Sequence, residues 1–250
     1  MSISGKTLAA TAALGLAAAC SGAVVLGTGT ASAATPPCGA RCLDIFSKQF
    51  GTHRQPSFVL SVASKSATVG EPIIMYWQSD NNPAEDFVAT RQGTVSEFNK
   101  VGLVSDAVDL HYGSDYAYEY EYAPYGVDSG LCIGVAATAA AGSEVSLQPC
   151  SASSRTLWIV DSSDGQYSTG YGDWNGDWYN GNHALINGSD TDFSHPFVLT
   201  YPVGAFPASH PRAQLDTANI TGSTDDSSGI PSPIDVSSNQ LWSWDRGSLP

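Results

Sequence analysis

Charge is scarce in this 250-residue sequence, and positive charge is scarcest. Only 14% of residues are charged, and ten Lys and Arg stand against 24 Asp and Glu, for a formal net charge of −14. So acidic a chain repels phosphate backbones and anionic bilayers, which argues against nucleic acid and membrane surfaces as partners. Beyond the N-terminal segment no run approaches the ~18 apolar residues of a membrane helix. The five histidines (His53, His111, His183, His195 and His210) are scattered, and none stands near a cysteine pair at zinc-ligand spacing. Gly-x-Ser-x-Gly, His-Glu-x-x-His and phosphate-loop patterns are all missing. No cofactor, metal or catalytic residue is therefore expected. Gly, Ser, Thr, Asn and Tyr are abundant instead, a composition suited to an all-β extracellular protein with many turns.

The N-terminus reads as a leader. Lys6 supplies a positive start, an Ala/Leu-rich stretch follows, and Ala31-Ser32-Ala33 fits a small-x-small cleavage site. Residues 1–33 are thus expected to be a signal peptide, and the mature chain to be secreted. A rival reading places a lipid on Cys20. Four cysteines follow the leader: Cys38, Cys42, Cys132 and Cys150. An even count in an exported chain predicts two disulfides with three possible pairings. The favoured pairs are Cys38–Cys42 and Cys132–Cys150. The second would tie two strands together, for roughly 3 kcal/mol in the chain-entropy model.

A weak pattern recurs three times in residues 58–250, after a lead-in over 34–57. Phe58-Val59-Leu60-Ser61-Val62, Leu131-Cys132-Ile133-Gly134-Val135 and Phe197-Val198-Leu199-Thr200-Tyr201 open the copies. Pro72-Ile73-Ile74-Met75, Val145-Ser146-Leu147-Gln148 and Ala213-Gln214-Leu215-Asp216 follow, with Leu60 to Ile74 spaced as Ile133 to Leu147. Phe87, Trp158 and Trp242 close them. Two short strands and an aromatic cannot bury their own apolar face, so three units must share a core.

Two insertions separate the copies, near 89–125 and 160–194. Thr94-Val95-Ser96-Glu97 reads as a capping box and Gly102 as a stop, which predicts a short helix. Tyr116 to Tyr122 alternates Tyr with Ala or Glu, a strand with four Tyr on one face. That face is expected to pack as an added strand, with a ring platform as the alternative. Glu119 and Glu121 are expected to face water. The second insertion holds Asp173, Trp174, Asn175, Asp177, Trp178 and Tyr179 within a Gly-rich loop. Flat rings meet the C–H face of a sugar while carboxylates and amides take its hydroxyls, so these six are the candidate ligand residues. Trp174 and Trp178 could instead fold back and cap the core. Asp173, Asn175 and Asp177 mimic the start of a calcium loop, but Trp178 and Ala184 occupy its obligatory Gly and Glu positions, which rejects an EF-hand. Thr221 to Ser237 is a surface loop by composition.

Gly130 to Val135, Val145 to Cys150 and Thr156-Leu157-Trp158 together resemble one repeat of a ricin B-type lectin domain, and Asn239-Gln240-Leu241-Trp242 resembles that family's Gln-x-Trp motif. The resemblance implies a β-trefoil. It also implies, per repeat, an Asp after the first strand's aliphatic residue, a stacking aromatic on the second strand, and an Asn before the Gln-x-Trp. The Asp position holds Ser61, Gly134 and Thr200; the stacking position falls near Met75, Gln148 and Asp216; the Asn survives as Asn239. The inherited pockets therefore read as disabled, with Gln240, Trp242 and Trp158 kept as scaffold. The expectation is an all-β trefoil with two insertions and a short helix, a monomeric, non-catalytic binding protein for glycan. The alternatives are a protein-binding trefoil, such as an inhibitor of an extracellular hydrolase, and a glycosidase built on acids such as Glu119 and Glu121.

Overall fold

The structure is a computed structural model. It describes residues 38, 41–47, 58–79, 82–150, 153–160, 183–202, 209–218 and 238–244. The chain divides into two units, Met1–Ala34 and Thr35–Pro250, and every described residue lies in the second.

Twelve strands and two α-helices occur among these residues. The strands fall into three sets of four. The first set is β1 (Ile45–Ser47), β2 (Phe58–Val62), β3 (Ile73–Trp77) and β4 (Phe87–Thr94). The second is β5 (Tyr116–Tyr122), β6 (Leu131–Val135), β7 (Val145–Pro149) and β8 (Leu157–Val160). The third is β9 (Leu185–Asn187), β10 (Phe197–Thr200), β11 (Gln214–Thr217) and β12 (Trp242–Trp244). The first and last strand of each set close a six-stranded ring. β4 pairs with β5, β5 with β8, β8 with β9, and β12 with β1, all antiparallel. Isolated bridges Leu43↔Phe87 and His183↔Trp242 supply the two remaining seams.

The middle strands of each set form the hairpins β2–β3, β6–β7 and β10–β11. Their tips interlock through the bridges Pro72↔Ser146, Ile74↔Arg212 and Glu144↔Gln214. Backbone hydrogen bonds Gly70 N to Leu147 O (2.7 Å), Gly142 N to Leu215 O (2.8 Å) and Met75 N to Pro211 O (3.0 Å) fasten the triangle. Gly70 and Gly142 sit at φ +84° and +78°, a conformation that an L side chain strains. A closed barrel capped by three interlocked hairpins is a β-trefoil. Closure removes exposed sheet edges, which the short, weakly patterned strands need.

One core fills the barrel. Leu60, Ile133 and Leu199 meet Met75, Leu147 and Leu215 across the hairpins, with Phe87, Trp158 and Trp242 buried beside them. Tyr120 and Tyr122 point into this same core. The Tyr strand is therefore β5, a barrel strand and not an added one; its Tyr face packs from Tyr118 to Tyr122, while Tyr116 is exposed. Likewise β4 and β9 belong to the barrel, so the insertion read near 89–125 narrows to the segment between Thr94 and Tyr116, and the inner boundary of the one read near 160–194 retreats to before Leu185.

The first insertion holds α1 (Val95–Lys100) and α2 (Asp106–Tyr112). The capping box forms as read: Glu97 N donates to Thr94 Oγ1 at 3.2 Å, and Thr94 N to Glu97 Oε2 at 2.8 Å. Sequence reading missed α2, although Ser105 caps it with Asp106 and Asp109 in its first turn. Val95, Phe98, Val108 and Tyr112 form a second core with Ala117, Leu157, Ile159 and Ile186. Those last residues alternate with the barrel-core residues of β5, β8 and β9, so the helices cover the outside of three barrel strands. Both expected disulfides, Cys38–Cys42 and Cys132–Cys150, are present.

Candidate functional site

The three positions for a sugar-binding Asp are closed. Ser61 and Thr200 are buried, and Thr200 Oγ1 donates to Val198 O at 2.9 Å. A Cβ on Gly134 would lie 2.8 Å from Arg155 O and 2.9 Å from Thr156 Cγ2. Repeat two therefore has no room for any side chain there.

The stacking position needs a correction. Met75 pairs with Leu60 as Leu147 pairs with Ile133 and Leu215 with Leu199. Met75 is core and fully buried, and the outward position is Tyr76, equivalent to Gln148 and Asp216. The β2–β3 loop is one residue longer than the β6–β7 loop, and a one-residue offset exchanges the two faces of a strand. Repeat one thus keeps an aromatic where the resemblance expects one. Tyr76 is partly exposed, and His210 packs on it with ring centroids 4.6 Å apart at 34°. His210 holds φ +47°, an uncommon conformation for a non-glycine residue. Two residues on, Gln78 Nε2 donates to Asp44 Oδ2 at 2.9 Å. The other two repeats spend this position on local bonds: Gln148 Nε2 donates to Ser146 Oγ (2.8 Å), and Asp216 Oδ1 accepts Thr217 N (2.8 Å). Trp77, exposed to 42%, follows Tyr76 in β3 and packs against Phe58 with centroids 4.2 Å apart.

The residues of the Gln-x-Trp motif lie inside. Asn239 Nδ2 donates to Tyr201 O (2.8 Å), and Gln240 Nε2 to Thr200 Oγ1 (3.1 Å) and Thr217 O (2.9 Å). Trp242 Nε1 donates to Leu199 O (2.8 Å), and Trp158 Nε1 to Ile133 O (3.0 Å). The place of Gln240 is taken by Thr156 in repeat two and by Glu85 in repeat one. Glu85 is 2% exposed, accepts Ser79 N at 3.1 Å and bonds Asn82 Nδ2. Burial pushes its carboxyl up to about 7, against those hydrogen bonds and with help from Asp44 and Asp86.

Glu119 and Glu121 do not face water. They point outward from β5, as the alternation requires, but are 2% and 8% exposed. Glu119 Oε1 accepts Thr156 Oγ1 at 2.7 Å, and its Oε2 lies 3.7 Å from Arg91 Nε. Glu121 Oε1 accepts Gly130 N at 2.6 Å. Burial raises the Glu119 pKa, opposed by Thr156 and Arg91. Both carboxylates are engaged within the protein, which removes the motive for reading them as a hydrolytic pair. The second-insertion residues Asp173, Trp174, Asn175, Asp177, Trp178 and Tyr179 lie outside the described residues, as does the 221–237 loop. Sequence reading missed Tyr76 and His210; counting the hairpin loop lengths would have found Tyr76, while no local signal pairs it with His210.

No protein-family model and no curated protein matches the sequence. The solved structures that resemble it include three at low identity. One is a designed 3-fold symmetric protein, ThreeFoil, at 13% identity and TM-score 0.47, covering 82% of this chain and 97% of that one. Another is a mosquitocidal holotoxin, at 12% identity and TM-score 0.46, where 82% of this chain matches 17% of that one. The third is the mdaA-1 domain, at 12% identity and TM-score 0.43, covering 84% and 90% of the two chains. The trefoil assignment rests on the strand pairings themselves.

Proposed function

We propose that this chain is an exported, non-catalytic carbohydrate-binding trefoil that uses exposed aromatics in place of the acid-based pockets. The observation that carries this reading is Tyr76, an outward ring at the stacking position of repeat one, steadied by His210. A ring offers its face to sugar C–H groups, and a side chain already held in place loses little entropy on binding. The Trp174/Trp178 segment, with Asp173, Asn175, Asp177 and Tyr179, is the second proposed contact. Two disulfides support an extracellular setting, and among the described residues no helix is long and apolar enough to cross a membrane. A glycan array of the chain beginning at Ala34, beside Tyr76→Ala and a Trp174→Ala/Trp178→Ala double variant, tests the reading. Binding weakened in Tyr76→Ala supports it; an array blank for the parent protein, or binding indifferent to Tyr76→Ala, overturns it.

A second reading, a protein partner, is favoured by the helical insertion. Leu110 on α2 is 90% exposed and Val101 beside α1 is 68% exposed. Capture of an extracellular hydrolase from culture supernatant, lost in Leu110→Lys, would move the function to that face.

A further inference from the structure

The Cys132–Cys150 disulfide sits among acids. Cys132 is the cross-strand partner of Glu121, and a Glu119 carboxylate oxygen and both sulfurs all lie within 4.8 Å of one another. Cys132 and Glu119 are buried, Glu121 is 8% exposed, and Cys150 is partly exposed. Arg91 is the cation beside this group, 3.7 Å from Glu119 and with 40% of its side chain exposed. Two nearly dry carboxylates thus stand beside the sulfurs against one half-wet guanidinium. At such separations and low dielectric a charge acts on its neighbour with several times its strength in water.

Reduction of a disulfide places charge in this same spot. A thiolate attacks one sulfur, the S–S bond breaks, a mixed disulfide forms, and the other sulfur leaves as a thiolate. With a dithiol such as dithiothreitol, its second thiol then displaces the mixed disulfide, so that the protein gains two electrons and two protons and the reagent is oxidised to its cyclic disulfide. Both the arriving and the departing thiolate meet the carboxylates of β5. We infer that Glu119 and Glu121 are an electrostatic guard that slows thiol attack on Cys132–Cys150 and keeps this strand-to-strand tie oxidised. The guard also explains why two acids are buried on the outer face of β5, where Ala117 alone packs against the helices.

The experiment is the reduction rate of this disulfide in the whole folded chain, followed by alkylation and mass spectrometry, with three thiols. Cysteamine is cationic, 2-mercaptoethanol neutral and mercaptoacetate anionic. Each rate is divided by the thiol's thiolate fraction. Glu119→Gln should speed mercaptoacetate about fivefold or more and cysteamine much less, narrowing the cation-to-anion rate ratio. Glu121→Gln should act in the same direction. Glu144→Gln removes one charge at the far end of the β6–β7 hairpin and should leave the ratio near the parent value. A ratio indifferent to Glu119→Gln and Glu121→Gln overturns the inference. So does an equal effect of Glu144→Gln, which would assign the effect to net charge.

Discussion

Two buried groups illustrate how single residues set stability in this trefoil. Glu85 occupies the place of Gln240, and its carboxyl is raised from 4.5 to about 7. The folded state therefore holds its proton more tightly than the unfolded chain. Its contribution favours folding below pH 4.5, declines as pH rises from 4.5 towards 7, and is flat above that. Asp190, raised from 3.8 to about 6 mainly by burial, acts with the same sign over a more acidic window. Glu85→Gln, which installs the residue of repeat three, should flatten the pH 5 to 8 slope. It should also stabilise the protein at pH 8 by about 1–3 kcal/mol in urea unfolding. An unchanged slope would contradict this. The closing aromatics give the second case. Trp158→Phe would leave Ile133 O without its indole donor, as Phe87 already does without one in repeat one, and should cost about 1–3 kcal/mol. An unaltered unfolding midpoint would refute that role for the indole.

Strands and helices were legible to different degrees, for physical reasons. The hairpin strands announce themselves through alternating aliphatics, and α1 through Thr94 and Glu97, because capping chemistry is local. α2 lacks a matching Glu at its third position and was missed. β4 beyond Val88 and all of β5 were read as insertion because their barrel role depends on partners far along the chain: Gln92 pairs with Tyr118 and Tyr116 with Val160. The same nonlocality hid the burial of Glu119 and Glu121, since it is the chain around Thr156, Arg91 and Gly130 that covers them. At this scale Thr94→Ala should cost about 1 kcal/mol and raise amide exchange in α1 while leaving the barrel amides protected. Uniform loss of protection would show instead that insertion and barrel unfold as one unit. Gly134→Asp, which would install the acid of the resembled pocket, meets Arg155 O and should destabilise β6 without creating binding. A gain of sugar affinity in that variant would contradict the closed-pocket description.

Across the whole molecule, the three repeats share a scaffold and differ in what each shows to solvent. Barrel closure, the hairpin triangle and the buried aromatics repeat three times. The outward stacking position does not: it is Tyr76, Gln148 and Asp216. The repeat pattern was readable because the shared core imposes one apolar spacing on all three copies. The site was readable only in part, because one extra loop residue shifts Tyr76 into the place that spacing alone gives to Met75. Repeat one thus carries the first proposed contact, and the Trp174/Trp178 segment the second. The most direct test is calorimetric titration of the best array glycan into the parent protein, Tyr76→Phe and Tyr76→Ala, each verified as folded. Tyr76→Phe should keep most of the affinity and Tyr76→Ala should lose about tenfold, the worth of one stacked ring. Equal affinity in all three proteins would contradict the account and place binding elsewhere on the molecule.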